Sequence, residues 1–417
     1  MVKQKNIPAL RFPTFSGGWD VKKLGAVVKI NQGLQIPISE RYTEQVAGSY
    51  FYITNEFLKV GSAKKFYIKN PTHSVLCTKD DILMTRTGNT GMVVTNVDGA
   101  FHNNFFKVAY PDFLCKNYLY NFLKLEKIQA QILKMAGTST IPDLNHSDFY
   151  RIEIAYPTLP EQIIIATFLT AVDDKIRQLT KKKELMQQYK KGVMHQIFNQ
   201  TVRFKDDYGN VYPAWKEVSF NEIYSFKKTN SYSRENLNYE NGLVRNIHYG
   251  DIHTKFQVLF DLTKERVPFL NPAISTQNIP EDSFCREGDL VIADASEDYA
   301  DVGKSIEIVN LNTEKTISGL HTLLARPDIS KMEIGFGGYL MKSYKVRNQI
   351  MTIAQGSKVL SISFGRLSEI ILNIPCGQEQ MKIVNFLTSI DDKINSVSQV
   401  ITQTQAYKKG LLQQMFI

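Results

Sequence analysis

Two stretches of the chain carry apolar residues at alternating steps of four and three positions, the spacing of one narrow stripe along a helix. The stripe is imperfect, because lysine or threonine occupies several of its positions. In chain order it comprises Val172, Ile176, Leu179, Lys183, Met186, Lys190, Val193 and Ile197, and then Ile390, Ile394, Val397, Ile401, Thr404, Lys408, Leu411 and Met415. The pattern predicts one long helix at 158–200 and a second at 375–417.

The two predicted helices are copies of one sequence. Aligned without a gap, residues 157–198 and 375–416 are identical at 18 of 42 positions, and FLTAVDDKI in the first returns as FLTSIDDKI in the second. Glu161 and Glu379 stand near the two starts, where a carboxylate favours the helix dipole. Each stripe is too apolar for water and too narrow for a globular core, so we expect the two helices to pack antiparallel as a coiled coil. Residues 161–198 of the first would span roughly 57 Å.

The rest of the chain is predicted to form two similar globular parts. In each part, short apolar runs typical of strands precede a run typical of a helix. The expected strands cover 74–87, 92–97, 105–110, 289–294, 304–309 and 321–326, and the expected helices cover 112–136, capped by Asp112, and 337–354. The predicted fold class is therefore α+β (mixed α/β), with globular domains at 1–157 and 201–374 separated by the two long helices.

Length and composition narrow the class of protein. A chain of 417 residues, 43% of them hydrophobic, is long enough for two or three domains with buried cores. No apolar run reaches the length of a membrane span, and the first residues lack the apolar segment of a secretory signal. Four cysteines match neither a zinc site nor a disulfide framework, so a reduced, cytoplasmic protein is expected. The net charge of +9 weakly favours an anionic partner.

Known catalytic patterns are missing from the sequence. GKS at 303–305 lacks the glycine of a phosphate-binding loop, because Asp298 stands there. Asp173-Asp174-Lys175 contains half of a metal-dependent nuclease motif, but it lies within a predicted helix and is interpreted as helix surface. His248 and His253 lack further metal ligands, so no metal is expected. A duplicated chain without a reaction centre is predicted to be a recognition or assembly protein.

Several phrases of the sequence point to one family. Each globular part ends in an entry to the repeated helix, YPTLPEQ at 156–162 and IPCGQEQ at 374–380, and the helices end in YKKGVMHQIF and YKKGLLQQMF. DDILMTRTGNTG at 80–91, RNIHYGDIHTKF at 245–256 and QGSKVLSIS at 355–363 add to these. Together they resemble the specificity subunits of type I restriction–modification systems. The resemblance covers nearly the whole chain.

The resemblance implies a fold and a function. Each globular part would be a target recognition domain for one half of a bipartite DNA site, and the helices would set the spacer and dock two methyltransferase (modification) subunits. Those partners would bind S-adenosylmethionine and methylate adenine, and motor-nuclease (restriction) subunits would join for restriction. The chain itself would have no cofactor and no catalytic activity, and would act in the cytoplasm of a bacterium or archaeon.

An alternative from another class stays open. The chain could be a protein adaptor that gathers two partners on a helical strut without binding DNA. The sequence also departs from the family pattern, because Asp294 takes the place of Arg86 and Asp80 stands where the first part would have glycine. Details of base recognition therefore do not transfer from one part to the other.

The DNA-binding candidates combine side chains able to recognise base edges with cations suited to phosphates. Arg86 suits guanine and the asparagines suit adenine, although an ion pair or turn chemistry explains them too. The DNA-binding set is Lys64, Lys65, Arg86, Thr87, Asn89, Asn103, Asn104, Lys182, Arg245, His248, Tyr249, Lys255 and Ser296. The residues expected for helix packing or partner binding are Phe168, Leu169, Ile176, Leu179, Phe386, Leu387, Ile394 and Val397.

Overall fold

The computed structural model describes residues 6–59, 61–137, 140 and 142–417. The chain divides into two compact units: unit 1, formed by Met1–Lys181 and Ser398–Ile417, and unit 2, formed by Lys182–Val397. Each unit therefore contains part of both long helices. The division into domains at 1–157 and 201–374 with separate spacer helices concerns functional organisation and stays a prediction.

Unit 1 is built on two four-stranded sheets and one strand pair. The first sheet is antiparallel, with the strand order Lys29–Gln32, Phe105–Ala109, Ile82–Thr85 and Val93–Val94. The second contains one parallel pair, Ser49–Ile53 with Gly99–Phe101, in the order Tyr67–Lys69, Ser49–Ile53, Gly99–Phe101 and Leu76–Cys77. Asp20–Lys23 pairs antiparallel with Glu153–Tyr156, the strand that leads into the first long helix.

The helices of unit 1 pack on the first sheet, whose strand Ile82–Thr85 is buried along its whole length. Trp19, Phe106 and Phe149 lie in the same core, together with Leu411 and Phe416 of the chain end. The α-helices are Lys116–Leu123, Glu126–Ala136 and His146–Arg151, and the 3₁₀ turns are Leu24–Ala26, Ile38–Glu40, Asn55–Leu58 and His73–Val75.

Unit 2 follows a related plan with a larger main sheet. That sheet has the strand order Tyr224–Lys227, Thr322–Pro327, Leu290–Ala293, Ser305–Asn310 and Leu259–Asp261. A four-stranded sheet has the order Leu237–Asn238, Phe269–Leu270, Arg245–Ile247 and Thr316–Ser318, and its last two strands are parallel. Two antiparallel pairs complete the strands: Lys216–Ser219 with Ile371–Ile374, and Ala295–Ser296 with Leu360–Ser361.

The helices of unit 2 cover its main sheet and bury Leu290 and Ile292 in one core with Phe198 and Ile383 of the long helices. The short α-helices are Phe220–Ile223, Tyr249–Thr254, Phe336–Met341, Tyr344–Ile353 and Phe364–Ser368, and the 3₁₀ turns are Arg234–Asn236 and Glu281–Ser283. Together with the described plan of unit 1, this confirms the predicted α+β class.

The repeated segments form the α-helices Leu159–Phe198 and Gly377–Met415. Every residue of the two predicted stripes is buried or half-buried, and the positions between them are mostly exposed. The packing is antiparallel within each unit. In unit 1, the Leu10 N–H donates to the Gln414 carbonyl near the end of the second helix, and the adjacent Arg11 donates to Glu161 near the start of the first. Lys408 of the second helix donates to Asp173 of the first, further from these ends. The predicted coiled-coil spacer as a whole stays a prediction.

Two predicted single helices are wrong, because each is broken into two. The run 112–136 forms Lys116–Leu123 and Glu126–Ala136, and Cys115 rather than Asp112 occupies the N-cap. The run 337–354 is interrupted at Ser343, which is extended and only 4% exposed. Neither break has glycine or proline, so burial of the linking residues in the core overrides a continuous helical pattern. The predicted strand 74–87 is similarly two strands.

The acidic residues near the helix starts do more than favour the helix dipole. Glu161 is buried and accepts two hydrogen bonds of 2.7 Å from the Arg11 guanidinium. Glu379, fully buried, accepts from Arg203 at 2.6 and 3.1 Å. Each unit thus ties a segment outside the long helices to a helix start by a buried ion pair.

Candidate nucleic-acid interface

The loop after strand Ile82–Thr85 holds the first group of DNA-binding candidates. Gly88, Asn89 and Gly91 have φ angles of 61°, 68° and 91°, the left-handed region that favours glycine and tolerates asparagine. The loop is closed by a hydrogen bond of 2.9 Å from the Gly91 N–H to the Thr85 carbonyl. These contacts hold 85–91 as a tight turn at the end of a buried strand.

Neighbouring segments fix the loop in place. The Asn55 side-chain amide donates to the carbonyl oxygens of Thr87 and Gly88 at 3.2 and 2.8 Å. The Thr90 hydroxyl donates to the Pro142 carbonyl at 2.6 Å. Sequence reasoning missed both contacts, because the partners lie more than thirty residues away and carry no local signal.

Arg86 is held by an acidic partner that the sequence did not reveal. Its guanidinium donates from Nε and Nη2 to the two carboxylate oxygens of Asp143, at 2.9 and 2.6 Å. The Arg86 side chain is 28% exposed and that of Asp143 is 46% exposed. Such a two-point contact fixes the guanidinium plane. Recognition of guanine by Arg86 therefore requires either a changed pairing with Asp143 or the remaining Nη1.

The other DNA-binding candidates of unit 1 differ in their exposure and in the hydrogen bonds that they already make. Asn89 is exposed, and its side chain makes no hydrogen bond to any residue that the structure describes. The Asn103 amide donates to Gln35 at 3.0 Å, and Asn104 contributes its carbonyl to the Arg86 N–H at 2.7 Å. Thr87 is half-buried, and Lys64 and Lys65 are exposed. Asn89 is thus the most available amide for contact with a base.

Unit 2 repeats the backbone frame of this loop with different side chains. The Arg86 N–H donates to the Asn104 carbonyl, and the Asp294 N–H donates in the same way to the His321 carbonyl at 3.1 Å. The Asp294 carboxylate lies 3.3 Å from Nδ1 of His321, and burial raises the pKa of Asp294. Asp294 therefore occupies the structural position of Arg86, as the sequence alignment indicated.

The basic candidates of unit 2 are paired with carboxylates. Arg245 donates to Glu314 at 2.7 Å, and its guanidinium lies 3.5 Å from the centre of the Phe269 ring. Lys255 lies 2.8 Å from the buried Asp251. Phosphate contacts by Arg245 or Lys255 would require these ion pairs to open.

Asp251 is the common acidic partner of two basic side chains in this part of unit 2. It also accepts two hydrogen bonds from Arg234, at 2.9 and 2.7 Å. Burial opposes the charge of Asp251, but Arg234 and Lys255 hold its pKa below the ordinary value. His248 is buried at the start of helix Tyr249–Thr254 and accepts from the Gly250 N–H; burial lowers its pKa to about 4, so it is neutral near pH 7.

The remaining candidates lie in different environments. Tyr249 packs its ring 4.7 Å from that of His248, and the Ser296 hydroxyl accepts from the Asp298 N–H at 3.0 Å. Lys182 is exposed on the first long helix. Asp173, half of the nuclease-like motif, instead accepts from Lys408 at 2.6 and 2.7 Å, and its copy Asp391 accepts from Lys190 at 2.5 and 2.6 Å.

The residues expected for helix packing or partner binding mostly face the unit interiors. Leu169 and Leu387 are fully buried, and Ile394 is 8% exposed. The others, Phe168, Ile176, Leu179, Phe386 and Val397, are half-buried. Five of the eight, Phe168, Leu169, Phe386, Leu387 and Ile394, pack in the cores of the units, and the choice between helix packing and partner binding stays open for the other three.

Neither a metal-binding cluster nor a membrane-spanning helix occurs in the described part of the chain. No group of three or more His, Cys, Asp or Glu side chains is placed to hold a metal ion within the described ranges. No helix in this part of the chain is long and apolar enough to cross a membrane.

Comparison with known proteins points to one family. Residues 16–187 match the family model described as "Type I restriction modification DNA specificity domain". The chain is 25% identical over 436 residues to the "Type I restriction enzyme MjaVIII specificity subunit" of Methanocaldococcus jannaschii, across 98% of this chain and 93% of that protein. It is 24% identical over 246 residues to the MjaIX specificity subunit of the same organism, across 54% and 56% of the two chains.

Solved structures share the fold. The S subunit of a type I restriction–modification system from M. genitalium matches with a TM-score of 0.57 and 17% identity over 99% of both chains. A chain from a structure described as "Structural basis underlying complex assembly and conformational transition of the type I R-M system" matches with a TM-score of 0.57 and 17% identity, over 98% of this chain and 99% of that one.

The two α+β units share one loop frame that carries Arg86 in unit 1 and Asp294 in unit 2. The comparisons confirm the resemblance found in the sequence. Residues 16–187 match the DNA specificity domain of type I restriction–modification systems, and nearly the whole chain is similar to a specificity subunit of such a system.

Proposed function

We propose that unit 1 and unit 2 each recognise one half of a bipartite DNA site. The observation that carries this proposal is the shared loop frame, which presents Arg86 in unit 1 and Asp294 in unit 2. A guanidinium suits guanine, whereas a carboxylate accepts from the cytosine amino group. One scaffold with opposite charges at the same place is suited to two different half-site sequences.

The two long helices are proposed to fix the distance between the half-sites. Half-sites approached from one side of DNA lie about one helical turn apart, ~34–36 Å, or a multiple of it. A helix of 40 residues is about 60 Å long, enough to act as a stiff spacer. The gap in the DNA site would then reflect the helix length, and the exposed Lys182 would contact phosphates there without recognising sequence.

We also propose that the helices dock two methyltransferase subunits. An internal duplication suits two identical partners related by approximate twofold symmetry. Tyr189 and Tyr407 occupy equivalent positions of the repeat, and both are 57% exposed. Large exposed aromatic side chains are enriched at protein interfaces. They are better suited to a partner than Leu169 or Leu387, which are buried within the units.

The chain is proposed to be non-catalytic on its own. Its sequence lacks the Asn-Pro-Pro-aromatic motif of adenine methyltransferases, and NPAI at 271–274 does not replace it. S-adenosylmethionine would bind the methyltransferase partners, and motor-nuclease subunits would join for restriction. Incubating the purified chain with DNA and labelled S-adenosylmethionine should give no methyl transfer. Transfer by the chain alone would overturn this assignment.

The recognition proposal is tested by selecting bound sequences from a library of random duplexes. A bipartite reader should enrich two short motifs separated by a fixed gap. A protein adaptor that does not bind DNA would enrich nothing. Asn89→Ala should relax one half of the enriched site and leave the other half unchanged, because Asn89 is exposed and belongs to unit 1 only. Loss of both motifs together would contradict the assignment of one half-site to each unit.

A further inference from the structure

A pocket in unit 1 has no role in the function described so far. It lies against the sheet containing strand Ser49–Ile53, and its volume is about 320 Å³. This is near the lower limit for pockets that hold small molecules. Its wall is formed largely by the aromatic rings of Phe51, Phe57, Phe66 and Tyr67, with Lys64 and Lys65 beside them.

Three of the rings contact one another edge to face or at a tilt. The Phe51 ring lies 5.7 Å from the Phe57 ring at 69°, and 5.9 Å from the Tyr67 ring at 60°. Phe57 is 42% exposed, so one ring of the pocket is open to solvent. Aromatic side chains with accessible faces stack with nucleobases of any sequence.

The lysines give the pocket a positive charge. Neither Lys64 nor Lys65 forms an ion pair with a residue that the structure describes, and both are exposed. The nearby Glu56 is held by the Lys59 ammonium at 2.7 Å and by the Ser62 hydroxyl at 2.9 Å. The pocket therefore combines aromatic rings with two exposed ammonium groups, one of which, that of Lys64, also attracts the Glu56 carboxylate; rings with ammonium groups are the chemistry that binds a nucleobase with its phosphate.

The pocket is connected to the loop at 85–91. Thr54, which lines the pocket, accepts a hydrogen bond from the Glu56 N–H at the start of the turn Asn55–Leu58. Asn55, the first residue of that turn, donates to the carbonyl oxygens of Thr87 and Gly88. A DNA strand contacting the loop would thus pass close to the pocket.

The corresponding place in unit 2 is already filled. Phe51 and Tyr67 are paired across two strands of unit 1, and Arg245 and Phe269 are paired in the same way in unit 2. The Arg245 guanidinium lies on the Phe269 ring and is fixed by Glu314. An aromatic ligand cannot stack there without displacing this guanidinium. The open pocket belongs to unit 1.

We propose that this pocket binds one unstacked nucleobase, with its phosphate, from a DNA strand held at the 85–91 loop. Phe57 and its neighbouring rings would stack on the base, and Lys64 and Lys65 would neutralise the phosphate. The proposal rests on the DNA-recognition role of the chain. It adds a sequence-tolerant contact to unit 1 that unit 2 lacks.

The test uses the full chain and a fluorescein-labelled single strand of twelve thymidines, with binding followed by fluorescence anisotropy. Phe57→Ala should weaken binding about tenfold, the loss expected for one base–aromatic stack. The matched control is Tyr50→Ala, because Tyr50 is 44% exposed and lies on strand Ser49–Ile53 outside the pocket. Equal binding by Phe57→Ala and the native chain would overturn the proposal.

A second pair of variants separates the pocket from general attraction to a polyanion. Lys64→Ala should weaken binding more than Lys69→Ala, which removes an exposed lysine outside the pocket. Equal losses would mean that only the net charge matters, and the pocket assignment would fail. Thymidine monophosphate should compete only at large excess. Competition as strong as that of the oligonucleotide would identify a free-nucleotide site and overturn the assignment to DNA.

Failure of the pocket proposal can be distinguished from failure of the DNA-recognition role. Random-duplex selection with Phe57→Ala should still enrich the bipartite motif, because stacking is tolerant of sequence. If the motif is enriched but the single-strand affinity is unchanged, DNA recognition stands and the pocket proposal fails. If the native chain enriches no motif, the recognition role fails.

Discussion

The ion pair between Arg203 and Glu379 should be a major source of stability in unit 2. Glu379 is fully buried, and the Arg203 side chain is 19% exposed. Besides the two hydrogen bonds from Arg203, Glu379 accepts one of 3.1 Å from the Trp215 indole. Replacing Arg203 by methionine keeps most of the side-chain volume but removes both charged donors. A buried carboxylate then remains with only one hydrogen bond.

The expected loss follows from these contacts. Each hydrogen bond to a charged group contributes about 1.5–3 kcal/mol, and removing one partner of a buried ion pair costs about 3–5 kcal/mol. Arg203→Met should therefore destabilise unit 2 by about 3–5 kcal/mol. Glu379→Gln should cost less, because a neutral amide is easier to bury than an unpaired charge. The double variant should lose less than the sum of the single losses, with a coupling of roughly 2 kcal/mol.

The two tryptophans allow each unit to be followed separately. Trp215 contacts Glu379 in unit 2, and Trp19 lies in the core of unit 1. Urea unfolding is followed by Trp215 fluorescence in a Trp19→Phe background, and by Trp19 fluorescence in a Trp215→Phe background. Arg203→Met should lower the midpoint of the first signal. The matched change in unit 1, Arg11→Met, should lower the midpoint of the second, because Arg11 holds Glu161 in the same way.

Two results would refute this reasoning. One is a loss of less than about 1 kcal/mol on Arg203→Met, which is the range of a surface ion pair. The other is strict additivity in the double variant, because independent effects would mean that the two side chains do not stabilise each other.

Three further predictions concern pH, specificity and spacing. Burial raises the pKa of Glu307 to about 7, so between pH 4.5 and 7 the folded state retains a proton that the unfolded state releases. The free energy of unfolding of unit 2 should therefore fall by on the order of 3 kcal/mol as pH rises from 4.5 to above 7. Urea unfolding at several pH values should show this loss in the native chain and not in Glu307→Gln. Arg86→Ala should relax one half-site in duplex selection; Asp143→Ala should affect that same half, and a change in the other half would contradict the assignment. Inserting four residues near 180–184 and four at the equivalent positions 398–402 adds about 6 Å to both helices, keeps both Lys–Asp pairs, and should lengthen the gap between half-sites without changing either motif.

The long helices were predictable because their signal is local and duplicated. The stripe at steps of four and three needs only neighbouring residues, and its positions are those that the structure buries. The breaks at Leu125 and Ser343 were not predictable, since they depend on how the linking residues pack against distant strands. The repeated Arg-Phe at 11–12 and 203–204 was a signal that could have revealed the buried ion pairs.

The candidate site was predictable only in part, because local sequence shows residue types and turns but not long-range contacts. The residue types and the tight turn of TRTGNTG are visible in sequence, and the position of Asp294 follows from alignment of the two halves. The contacts that decide availability are long-range. Asp143 lies 57 residues from Arg86, and Glu314 lies 69 residues from Arg245. Sequence therefore supplied the candidates, and the structure separated the free Asn89 from the paired arginines.

Two irregularities of the sequence explain each other in the fold. The first irregularity is a lysine at an apolar stripe position, and the second is an acidic pair within a helix. Burial of either charge without a partner would be unfavourable. In unit 1, Lys408 pairs with Asp173, and in unit 2, Lys190 pairs with Asp391. Both lysine side chains are only 14% exposed, so sliding either helix by one turn would leave a buried ammonium without its carboxylate. Polar residues at stripe positions specify register in this way, and a fixed register is what the proposed measurement of a DNA gap by the two helices requires.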